Sequence, residues 1–115
     1  MPHFWIPMCA RLGIAPRDAK TCWRALRASR NPALQALVFN LTTAARQLGP
    51  LTPIQMRQYC DLLMAPMQDN PNLRAVWLTM PAVLQHDGTL APTVAARVEA
   101  AMRARLAGLA PVQPS

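Results

Sequence analysis

Proline placement constrains this chain more than any other feature. Twelve of its 115 residues are proline, and a helix accepts proline freely only in its first turn. There the missing N–H would lack a partner anyway, and the residue just before is well filled by Asn, Thr or Ser, whose side chains cap the open amides. Asn31-Pro32, Thr52-Pro53 and Asn70-Pro71 carry that signal in full, while Ala15-Pro16 and Ala91-Pro92 carry it without a capping side chain. Gly13, Gly49, Gly88 and Gly108 stand where a chain leaving a helix needs a left-handed residue. This punctuation predicts five helices, over residues 16–29, 32–48, 53–66, 71–87 and 92–107.

Composition points the same way, to an all-α fold. Ala, Leu, Met, Arg and Gln, the good helix formers, are abundant, and Val, Ile, Phe, Tyr and Trp are sparse. The length suits a single domain. Apolar residues recur at helical spacing within each expected helix. Leu34, Leu37, Val38, Leu41, Ala45 and Leu48 form one stripe, followed by Met56, Tyr59, Cys60, Leu63 and Met67. Leu73, Val76, Trp77, Met80 and Leu84 form the next, in a helix that Pro81 is expected to kink by removing a backbone bond. Val94, Val98, Ala101, Met102, Leu106 and Leu109 complete the series.

Sliding the chain along itself by 39 residues sets 31–69 over 70–108 without a gap. Eight positions coincide: Asn31/Asn70, Pro32/Pro71, Leu34/Leu73, Ala36/Ala75, Gly49/Gly88, Leu51/Leu90, Pro53/Pro92 and Ala65/Ala104. Chance in so Ala-, Leu- and Pro-rich a chain gives about three or four, but here both helix starts and the turn glycine repeat. "LGIAP" at 12–16 echoes "LGPLTP" at 48–53, as though the chain began with half of an earlier unit. The expected architecture is a single helical domain of stacked hairpins, because one hairpin with one apolar face cannot stand alone. It divides into an N-terminal arm and basic half-unit (1–30), repeat units at 31–69 and 70–108, and a flexible tail at 109–115. The alternative is an irregular five-helix bundle whose Pro-capped helices coincide.

"DNPNLRAVWLTMPAVL" (69–84) resembles the second helix of a HEAT repeat, which opens with Asp, then Pro, then an aliphatic-Arg pair such as Leu73-Arg74. "LTPIQ" (51–55) with "LRAVWLTMPAVLQHDG" (73–88) is similar to transcription activator-like effector repeats, with Pro81 and Gly88 at matching spacing. The resemblance implies an α-solenoid. It does not carry over the base-reading loop of those effectors, because the corresponding "MAPMQDN" (64–70) is longer and lacks its glycines. Pro71-Asn72 also replaces the cation that meets phosphate.

Twelve Lys and Arg against five Asp and Glu give a net charge of +7. Such an excess suits nucleic acid, an anionic membrane surface or an acidic partner. Arg17, Lys20, Arg24 and Arg27 recur at helical spacing opposite Ala19, Cys22, Trp23 and Leu26, so the first expected helix is basic on one side and apolar on the other. With Arg30 and Arg11 these are the candidate nucleic-acid-binding residues, gripping phosphate without reading sequence. The plainer reading is the solvated outer face of a capping helix.

Residues 31 to 96 hold only Arg46, Arg57, Asp61, Asp69, Arg74 and Asp87 as charged side chains, few enough to expect an apolar surface that meets a second copy or another protein. A protein–protein adaptor or inhibitor is therefore the rival function. Its candidate partner-binding residues are Met56, Met64 and Met67, which plain core packing would also explain, and Trp5, the tryptophan expected to be most exposed. A third reading lays the first expected helix on a membrane surface, but its face is short for that.

Enzyme chemistry is not expected. His86-Asp87 and Cys60 are the nearest approach to an acid–base or thiol site, and no phosphate-binding glycine loop accompanies them. Cys9, Cys22 and Cys60 are odd in number and lack C-x-x-C spacing, so neither a disulfide framework, a metal site nor a cofactor is expected. No run approaches the ~18 apolar residues of a membrane span, and the start is a poor secretory signal. A cytoplasmic, reducing compartment is the expected setting.

Overall fold

The computed structural model describes residues 1–108. Among them are six helices and no strand: α1 (Trp5–Arg11), α2 (Pro16–Ala28), α3 (Pro32–Leu48), α4 (Pro53–Asp69), α5 (Pro71–His86) and α6 (Pro92–Gly108). The chain is all-α, and the five expected helices are α2 to α6. The expected tail at 109–115 lies outside the described residues.

The helix starts follow the proline rule. Asn31 accepts from the amides of Ala33 and Leu34 at 3.0 and 3.3 Å. Asn70 does the same for Asn72 and Leu73, both at 3.1 Å. At α4 the capping is reciprocal: the Gln55 amide donates to Thr52 Oγ1 at 3.2 Å while the Gln55 side chain accepts from the Thr52 amide at 3.0 Å. Each satisfies amides that the helix itself leaves open.

Two expectations need correction. The segment 64–70 is not a long loop, because α4 continues through Pro66 to Asp69 and only Asn70 separates it from α5. The Asn70 amide, donating to the Pro66 carbonyl at 2.8 Å, closes that last turn. The second correction is α1 itself, where an arm was expected. Its Pro7 is the third residue of the helix, within the turn whose amides lack helical acceptors, so the ring removes no ladder bond. Phe4, Trp5, Met8, Cys9 and Leu12 around it are all buried, and a helix apolar on most sides shows no amphipathic period to betray it.

This short helix lies at the centre of the molecule, against α2 and α4. Trp5 has no exposed surface. Its indole Nε1 donates to the Ala19 carbonyl at 2.8 Å, and its ring lies 5.1 Å from that of Trp23 and 5.8 Å from that of Trp77. Phe4 meets Tyr59 of α4 edge-on at 5.1 Å. The expectation that Trp5 is exposed and free to dock a partner is therefore wrong: its apolar body and its one polar atom are both satisfied inside the protein. Leaving α1, the chain turns at Gly13 with φ of 81°, where an added Cβ would sit 3.0 Å from the Ala101 carbonyl oxygen of α6.

The helix pairs in 39-residue register have unlike surroundings. α5 and α6 pack along each other, whereas α3 lies chiefly on α2, and α4 on α1 and α5. Of the 17 residues of α3, only Leu34 is buried. No helix among the described residues is long and apolar enough to cross a membrane.

Candidate nucleic-acid interface

The sequence of α2 divides its charges before any partner is considered. Ala19, Cys22, Trp23 and Leu26 are buried, while Arg17, Lys20, Arg24 and Arg27 are exposed. At 1.5 Å per residue the four cations span about 15 Å of one face. Asp18, in the first turn where the helix dipole favours a negative charge, does not join that face. It is buried and takes both donors of Arg97 from α6, at 2.8 and 2.7 Å. Those hydrogen bonds, with the charges of Arg97 and Arg17, hold its carboxyl below the usual value against the opposing effect of burial.

Arg30 continues the cationic surface just beyond α2 and is likewise exposed. The turn that carries it is anchored. Buried Ser29 donates its hydroxyl to Asp87, and Ser29 Oγ accepts the Asn31 amide at 3.1 Å. None of Arg17, Lys20, Arg24, Arg27 or Arg30 pairs with a carboxylate among the described residues.

Arg11 belongs elsewhere. It ends α1, pairs with Asp61 of α4 and donates to the Arg57 carbonyl at 3.3 Å. An arginine neutralised in this way does not extend the free stripe. The candidate partner-binding methionines are also displaced inward. Met64 and Met67 are buried and Met56 is half-buried against the core, so packing explains them.

Two surface features carry residues that sequence reasoning missed. Between α2 and α3 lies a groove of about 570 Å³, bounded by Trp23 and Arg27 on one side and Gln35, Phe39, Thr42 and Arg46 on the other. Phe39 is 70 % exposed. Gln35, Phe39, Thr42 and Arg46 follow one another at spacings of four, three and four, and so share a face of α3. That spacing was available in the sequence, hidden behind the longer apolar stripe of the same helix. The second feature is an apolar groove of about 220 Å³ between α3 and α4, with Met67 and Trp77 beneath and Leu37, Leu41, Leu62 and Leu63 along its edges.

Thiol chemistry finds little support in the geometry. Cys9, Cys22 and Cys60 are buried and unbridged. Burial raises all three thiols, Cys22 to about 11, so the reactive thiolate is scarce at neutral pH. Asp87 is engaged by Ser29. Among the described residues no three His, Cys, Asp or Glu side chains gather as metal ligands.

Compared with protein-family models, curated proteins and solved structures, the chain finds no match.

Proposed function

We propose that this chain is a non-enzymatic binding module that holds nucleic acid by its phosphates, without sequence preference, through Arg17, Lys20, Arg24, Arg27 and Arg30. The observation that supports it is the separation of charge on α2. The one acid of that helix faces inward to Arg97, while its four cations stay outside without carboxylate partners among the described residues. Phosphates release condensed counterions when cations replace them, and that release drives binding independently of sequence. Titration of labelled DNA and RNA of mixed sequence at low salt tests this. Binding by the native protein and its weakening in Arg24→Ala/Arg27→Ala, equally for unrelated sequences, is the expected result. No binding at low salt refutes it.

A second reading is a protein–protein adaptor or self-associating subunit, favoured by the apolar groove between α3 and α4 and by Leu62, 70 % exposed beside it. Surface of this kind is expected where a partner docks. Sedimentation at rising concentration tests the version in which a second copy is the partner. The 39-residue register reads as a duplicated helix pair whose copies found different neighbours. Three buried, unbridged thiols are consistent with a reducing, cytoplasmic setting.

A further inference from the structure

We propose that the groove between α2 and α3 seats one nucleotide of a single strand, its base stacked on Phe39 and its phosphate held between Arg27 and Arg46. The proposal rests on the nucleic-acid reading above and gives it a strand preference.

Three observations converge on this groove. Its volume, about 570 Å³, falls in the range of about 300–1,000 Å³ typical of small-molecule sites. Its cations come from both walls, Arg27 being the last member of the α2 stripe and Arg46 standing in the last turn of α3. A backbone following the stripe therefore arrives between two guanidiniums, neither paired with a carboxylate among the described residues. The third is Phe39. A phenyl ring 70 % exposed beside two cations is poorly used as core and well placed as a stacking platform.

Gln35 and Thr42 flank Phe39 on its own face of α3 with hydrogen-bonding groups for a base edge or sugar. Trp23 also lines the groove, and its indole N–H is the only buried side-chain polar atom among the described residues without a hydrogen-bond partner. The occupant must be single-stranded, because in a duplex both faces of each base are already covered by neighbouring pairs. Phosphate contacts alone would not distinguish the two forms.

The test compares an oligothymidylate of about 12 nucleotides with a duplex of equal length, the single-strand site sizes of small modules being about 4–16 nucleotides. The readouts are anisotropy and intrinsic tryptophan fluorescence. Phe39→Ala, at an exposed position where the fold survives, is expected to weaken single-strand binding about tenfold, the effect of losing one stacked base. Duplex binding should stay within about twofold and the salt dependence should not change. Arg46→Gln should lower the salt slope for the single strand by about 0.7, one phosphate contact. Tryptophan emission should fall on single-strand binding in the native protein. If both substrates bind but Phe39→Ala leaves the single strand untouched, the groove is overturned while the basic stripe stands. If neither substrate binds at low salt, both proposals fall.

Discussion

Arg97 of α6 grips Asp18 of α2 across 79 positions of sequence, donating from Nε at 2.8 Å and from Nη2 at 2.7 Å to the two carboxylate oxygens. The paired geometry is the stronger form of a charged hydrogen bond, and it holds the Asp18 carboxyl below its ordinary value. An unfolded aspartate titrates near pH 3.9. Just below that pH the unfolded chain binds more protons than the folded one, so stability rises with pH there. The contribution is complete above about pH 5 and disappears as pH falls through the folded value. Denaturant midpoints measured from pH 6 downward should therefore drop more steeply for the native protein than for Asp18→Asn. Parallel curves would remove the pair from the stability account.

Gly13 and Gly88 both have positive φ, at 81° and 79°, but differ in what surrounds them. An added Cβ at Gly88 meets nothing within 4 Å, whereas at Gly13 it meets the Ala101 carbonyl oxygen at 3.0 Å. Gly88→Ala should cost about 1 kcal/mol, from backbone strain alone. Gly13→Ala should cost more, about 2–3 kcal/mol, because α6 must also yield. Equal losses in urea denaturation would mean that the turn after α1 does not press on α6.

The N-terminal helix should prove indispensable. Trp5→Phe removes the hydrogen bond to Ala19 and part of the three-tryptophan cluster. A loss of about 2–4 kcal/mol is expected from the bond and the space left behind. Deleting residues 1–14 should abolish cooperative unfolding. A truncated chain that still unfolds sharply would mean that α1 adds little to the core.

Much of this fold was legible because proline acts locally. A ring that cannot donate marks a helix start whatever packs around it, so Asn31-Pro32, Thr52-Pro53 and Asn70-Pro71 located the starts of α3, α4 and α5 to the residue, though not their ends. Pro7 and Pro66 lie inside helices instead of marking their starts: the first in an opening turn where its ring removes no ladder bond, the second near the end of α4, between buried Met64 and Met67. The stripe of α2 was legible from its charge spacing. The groove beside it was not, because Arg27 and Arg46 become neighbours only once α3 lies against α2. Arg11 could not be told from its fellows, since its pairing with Asp61 spans 50 positions.

The cysteines should be silent in the native state. With every thiol buried and raised, Cys22 to about 11, thiolate is rare near pH 7. A maleimide or disulfide reagent at pH 7 should label none of the three quickly and all three after denaturation. Rapid labelling of Cys60 in the folded protein would reopen the thiol reading.

Nucleic-acid affinity as a function of salt tests the central claim most directly. Four stripe cations along about 15 Å reach about four phosphates of a duplex strand, at 3.4 Å per nucleotide. A plot of log K against log salt should then be linear with a slope of about −3 to −4, falling in magnitude by about 2 in Arg24→Ala/Arg27→Ala. A flat plot, or a double variant with the native slope, would contradict the assignment of α2 as the phosphate-gripping face.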